Sequence, residues 1–150
     1  MGSPENFCVK WDAFETNISA SFTEFRENSL FFDITLCCDN GTDIVPAHKG
    51  VLAASSPLFW KILSRQENQQ NPLLYLKGIH LKELQALLDF IYYGEVYVEE
   101  ESLNDFLEVA EDLAIKGMKT DLKNTNSTET KGTYDRLPQI SQTYLLRLSF

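Results

Sequence analysis

Basic clusters, long apolar runs and metal-ligand side chains are all scarce in this 150-residue sequence. Thirteen Lys and Arg face 22 Asp and Glu, for a formal net charge of −9, and nowhere do five basic residues run together. Neutralising a phosphate backbone needs clustered cations, so direct nucleic-acid binding by this chain is not expected. No apolar run reaches the roughly 18 residues that span a bilayer, and no membrane partner is expected. Met1 to Asn6 joins neither a positive region to an apolar core nor a Ser or Thr to position 6, so neither a secretory leader nor a myristoylation signal is expected. Three cysteines, odd in number and without framework spacing, fit a reducing compartment.

Catalytic parts are missing as well. A zinc site needs about four converging ligands. Cys8 stands alone, Cys37 and Cys38 are neighbours that point to opposite faces of a strand, and His48 and His80 are the only histidines. No metal and no cofactor are expected. A cysteine nucleophile would need a base beside it, and His48 is the single candidate, placed at a strand–helix junction. Glycine-rich phosphate loops, nucleophile elbows and paired carboxylates do not occur. The chain reads as a non-enzyme.

What is present is enough apolar content, 43%, for one core. Phe32, Ile34 and Leu36 alternate with Asp33, Thr35 and Cys37, which predicts a half-buried strand. Asp39-Asn40-Gly41-Thr42 predicts a tight type I′ hairpin turn, and Asp43 to Ala47 a returning strand with Pro46 at an edge. The pattern turns helical from His48. Ser56-Pro57 starts a new helix, with serine as N-cap and proline where its missing N–H costs nothing. Leu73 to Leu76 predicts a strand. Leu81, Leu84, Leu87, Leu88 and Ile91 share a helical face closed by Gly94. Val96 and Val98 predict another short strand, and Ser102 with Asp105 a helix start. Few strands among many short helices give a mixed α/β (α+β) class with a small sheet.

At the N-terminus, Phe7, Val9 and Trp11 alternate as a strand does. Asp12 with Glu15 predicts a capping box and a helix from Ala13. Phe14, Ile18, Phe22 and Phe25 then form one aromatic-rich stripe, read either as a core face or as a face for a second copy. Residues 1–123 form the expected domain. Residues 124–150 are expected to be a disordered linker and a short apolar tail, with Leu137, Ile140, Tyr144 and Leu148 on one face of a helix if the tail is ordered.

Phe32-Asp33-Ile34-Thr35-Leu36, Ala47-His48-Lys49, Val51 to Phe59, Leu87 to Val96 and Ala110 to Met118 together resemble the BTB/POZ domain. Phe7 to Asp12 is similar to the N-terminal element of the arthropod Tramtrack-type subgroup. The resemblance spans roughly residues 7–122. It implies a BTB/POZ fold, a cluster of short helices capped by a small sheet, with an N-terminal strand and helix for dimerisation. By the same resemblance Phe7, Val9, Trp11, Phe14, Ile18 and Phe22 line an oligomer interface, and Asp33 with Lys49 form a charged pocket there. The partners implied are the chain itself, other BTB/POZ proteins and co-regulators of transcription, in the nucleus or alternatively the cytoplasm. Zinc fingers often follow such domains, and none is present here. An alternative of another class is a substrate adaptor for cullin ubiquitin ligases. Its hydrophobic-x-Glu contact is poorly matched by Arg65-Gln66-Glu67, and a channel-type tetramerisation domain fits Ala47-His48-Lys49 poorly.

Overall fold

The computed structural model describes residues 2–39, 41–66, 68–118 and 148–149. Its elements run α1 (Phe14–Glu27), β1 (Ile34–Cys37), β2 (Ile44–Ala47), α2 (Lys49–Ser55), α3 (Pro57–Ser64), β3 (Leu73–Leu76), α4 (Leu81–Tyr93), α5 (Glu100–Asp112) and β4 (Leu148–Ser149). The mixed α+β class expected from the pattern is the class observed.

The sheet follows from the alternation in β1. Ile34 and Leu36 are fully buried on its inner face. β2 pairs antiparallel with β1, Ile34 opposite Ala47 and Cys37 opposite Ile44, and β3 pairs parallel with β1, Leu36 opposite Leu74. A parallel neighbour needs a crossover, which α2 and α3 supply between β2 and β3. β4 adds antiparallel to the outer edge of β3, giving the order β2-β1-β3-β4. Pro46 lies in β2, an edge strand, where its missing N–H leaves no ladder bond open.

The core sits between this sheet and the helices. Leu52 from α2, Phe59 and Leu63 from α3, Leu84, Leu87 and Leu88 from α4, and Phe106 and Ala110 from α5 pack on Ile34, Leu36, Leu74 and Leu76. Ser56 joins two parts of it. Its Oγ accepts from the N–H groups of Leu58 and Phe59, both at 3.1 Å, as the N-cap of α3. The same hydroxyl donates to the Leu113 carbonyl at 2.5 Å, tying α3 to the segment behind α5. Gly94 closes α4 at φ 82°, a left-handed position that glycine takes without a Cβ clash.

Several local expectations give way to other geometry. The β1–β2 turn is wider than a two-residue type I′ hairpin. Cys38 N–H bonds Asp43 C=O and Gly41 N–H bonds Cys38 C=O, so Gly41, at φ 70°, takes the fourth place of a turn opened by Cys38. No capping box forms at α1: its cap is Ala13, left-handed at φ 53°, without a side-chain bond. Instead Asn17 reaches back, its side-chain amide donating to Asp12 C=O at 3.2 Å. α5 begins at Glu100 rather than after Ser102, because Glu99 C=O already accepts the Ser102 N–H. Val96 to Val98 enters no ladder, since a strand needs a neighbour and none reaches it within the described residues. The reading of residues 124–150 lies outside the described residues, except that Leu148 stands in β4 rather than on a helix.

Candidate interaction surface

Among the described residues, α1 is the one helix with no buried residue. Polar anchors on one side hold it to the body. Thr23 Oγ1 donates to the Tyr92 carbonyl at 2.9 Å. Arg26 pairs with Asp89, Nη1 to Oδ1 2.7 Å, and its guanidinium lies 5.1 Å and 5.4 Å from the ring centres of Tyr92 and Tyr93. A cation over two rings and beside a carboxylate fixes both the height and the rotation of the helix on α4.

A third anchor follows the helix. His48 is buried where β2 meets α2, with Nε2 2.6 Å from the Leu30 carbonyl and Nδ1 2.6 Å from the Tyr92 hydroxyl. The His48 backbone N–H also donates to that hydroxyl at 3.0 Å. Burial pushes the Tyr92 phenol up to about 12, against smaller lowering from the His48 N–H and the Arg26 charge. Tyr92 therefore remains a neutral donor near neutral pH.

The other side of α1 faces outward and is apolar. Phe14 and Phe22 are 54% and 40% exposed, and Trp11, Phe7 and Val9 before them are 60%, 82% and 92% exposed. Ile18 is half-buried in the middle of the stripe. Trp11 meets Phe14 edge to face at 5.4 Å, so the leading segment and the helix form one aromatic surface. Such a contiguous apolar face, rimmed by polar residues, makes this side of α1 the candidate interaction surface. Among the described residues, Phe7 to Trp11 has no ladder partner in the sheet.

The charged positions take a different arrangement in the single chain. Asp33 Oδ1 accepts the backbone N–H of Lys49 at 2.7 Å, capping the start of α2. Lys49 Nζ donates instead to the Gln69 carbonyl at 2.6 Å. The structure thus brings Asp33 to the main chain of Lys49, with the two charges directed apart.

Sequence reasoning did not single out Thr23, Arg26, Leu30, Phe31 or Tyr92. Arg26 and Asp89 carry no pairing signal in sequence, being 63 positions apart. The doublet Phe31-Phe32, an apolar pair just before an alternating strand, was the one visible hint. Among the described residues no group of three or more His, Cys, Asp and Glu is placed to hold a metal ion, and no helix is long and apolar enough to cross a membrane.

Comparison with known proteins decides the family. The model of the BTB/POZ domain matches residues 22–129. This chain belongs to the BTB/POZ family. Its relatives in Drosophila melanogaster include a Longitudinals lacking protein-like chain, 42% identical over 79% of this chain and 91% of that protein. The Broad-complex core protein isoforms 1/2/3/4/5 are 32% identical over 93% of this chain, and the alpha isoform of tramtrack is 37% identical over 76% of it. The chain spans only 18% and 14% of the length of those two relatives. The solved BTB domain of zebrafish PATZ1 superposes with a TM-score of 0.61 at 25% identity, covering 72% of this chain and 86% of that one. BTB/POZ domains are protein–protein interaction modules, and the exposed apolar face of α1 stands on one.

Proposed function

We propose that this chain is the self-association domain of a transcriptional regulator, and that α1 with the segment before it forms the contact between copies. The observation that carries this is a helix with an apolar stripe and no buried residue. Burial of apolar area stabilises by about 25 cal/mol per Å2, so leaving Phe7, Trp11, Phe14 and Phe22 in water forgoes several kcal/mol. A second copy recovers that energy in an isologous contact, each α1 meeting the other. BTB domains generally self-associate and bind other BTB proteins, which supports both homomeric and mixed assemblies.

The unpaired Phe7–Trp11 segment supports a further strand-mediated contact, since a strand-like stretch without a neighbour is ready to add to another sheet. Assembly would act by avidity, raising the effective concentration of linked DNA-reading modules and presenting a groove to co-regulators in the nucleus. Asp33, which accepts the Lys49 backbone N–H, and Lys49, next to His48 in sequence, are assigned to a charged pocket of this contact.

Sedimentation across a concentration series tests the reading, on the full chain, on a chain lacking residues 1–11, and on Phe14→Glu/Phe22→Glu. A dimer or larger species that shrinks on truncation and falls to monomer with the double charge is expected. A monomer at every concentration for the unaltered chain would remove the reading.

A further inference from the structure

The link between α1 and β1 makes a second left-handed turn that capping does not require. α1 ends in a Schellman arrangement: Ser29 N–H bonds Arg26 C=O at 3.1 Å, and Leu30 N–H bonds Phe25 C=O at 2.8 Å. That motif needs one left-handed residue, and Ser29, at φ 55°, provides it. Two positions on, Phe31 is left-handed again at φ 64°. For a bulky side chain this region is a genuine outlier, crowded between Cβ and the following carbonyl.

The strained turn is fastened from outside. The Leu30 carbonyl, just before Phe31, is held by His48, and His48 is held by Tyr92. The result sends the Phe31 ring outward, 71% exposed, with Leu30 beside it at 45%. A ring this exposed, stacked on half-buried Phe25, adds little to the core, and glycine or asparagine would take the same backbone at less cost. Strain that the surroundings enforce for so little gain in folding belongs with function.

We propose that Phe31 determines the specificity of self-association, its ring inserting into a second copy of this chain. This rests on the self-association reading above. Continuity with the α1 face identifies the occupant. Phe31 stacks edge to face on Phe25 at 5.0 Å, and Phe25 on Phe22 at 6.4 Å, so the ring extends the helix stripe by one more aromatic. Charge agrees. At a net charge of −9, two copies repel wherever acidic faces meet, and the row from Phe22 through Phe25 to Leu30 and Phe31 carries no charge of its own. A protruding ring at one end of an isologous contact is matched by its twin at the other, and it excludes partners without room for it.

Competition for a tagged copy tests this. Untagged wild type, Phe31→Gly and Phe31→Asn compete for tagged wild-type chain after co-refolding, and exchange of the Leu36 and Leu74 amides reports the core. Both substitutions suit the left-handed backbone, so a purely structural ring would leave capture unchanged. Core protection equal to or above wild type, with capture reduced about tenfold or more, is expected. Capture of either variant at the wild-type level overturns the proposal, as does weaker capture together with weaker core protection. If tagged wild type captures no wild type, the self-association reading itself fails and this proposal with it.

Discussion

His48 and Tyr92 exchange two hydrogen bonds: the His48 backbone N–H donates to the Tyr92 oxygen at 3.0 Å, and the Tyr92 hydroxyl meets His48 Nδ1 at 2.6 Å. The third contact fixes the proton positions. A carbonyl only accepts, so Nε2 donates its hydrogen to Leu30 C=O, and with Nε2 carrying the ring's hydrogen Nδ1 can accept from the phenol. Every donor and acceptor in this group has a partner. His48 is thereby built into the joint between α1, α4 and the β2–α2 corner.

Tyr92→Phe should remove that exchange while keeping the ring and its contact with Arg26. The His48 N–H and Nδ1 would be left buried without partners, which costs about 1–3 kcal/mol. Urea unfolding should show a lower midpoint with an unchanged slope. Hydrogen exchange should speed first at Leu30 and along α1. Uniform loss of protection across the β-sheet instead would mean that Tyr92 serves the core rather than the helix joint.

Ser56→Ala should be the more damaging small substitution. The N-cap contribution alone is about 1 kcal/mol, and the Leu113 carbonyl loses its donor as well, adding about 1–2 kcal/mol. Ser56→Thr supplies the same oxygen but adds a methyl to a fully buried site, so it should recover only part of the loss. A melting temperature for Ser56→Ala equal to wild type would contradict the double role.

How much of this was legible in the sequence depends on the range of the interaction. Alternation placed β1, and the Ser56-Pro57 and Gly94 signals placed the start of α3 and the end of α4, because these are short-range effects of backbone geometry. The Asp12–Glu15 box and the Ser102–Asp105 start were over-read. The box does not form, yet α1 starts at Phe14, one residue from the expected Ala13, whereas α5 starts earlier, at Glu100, where Glu99 C=O accepts the Ser102 N–H. The stripe of α1 was visible, while its anchors were not. Arg26 with Asp89, Thr23 with Tyr92 and His48 with Leu30 are joined only by the tertiary fold, and no spacing rule connects them.

Asp33→Asn separates capping from interface charge. The amide oxygen can still accept the Lys49 N–H, so the stability of the single chain should change by only a few tenths of a kcal/mol. Asp33→Ala removes the acceptor and should cost about 1 kcal/mol. With Asp33 in the charged pocket of the contact, the Asn variant should sediment at lower mass while unfolding at nearly the wild-type urea midpoint. Glu100→Gln, on the exposed first turn of α5, should change neither. Equal masses for Asp33→Asn and wild type would leave Asp33 with its capping role alone.

Alkaline titration should expose Tyr92 directly. The unfolded phenol ionises near 10, and in the folded chain burial raises it to about 12. Below pH 10 the phenol is neutral in both states and its contribution is fully present. Between pH 10 and 12 the unfolded chain releases the proton while the folded chain keeps it. Stability therefore falls as pH rises, by up to roughly 2–3 kcal/mol across the window, and flattens above it. Tyr75 is shifted upward too, by desolvation and by Asp39, so some slope should survive without Tyr92. Urea midpoints of wild type and Tyr92→Phe from pH 9 to 12 should converge as the wild type loses its advantage. Parallel curves would show that the Tyr92 phenol ionises in the folded chain as it does in water, and that the joint with His48 is open.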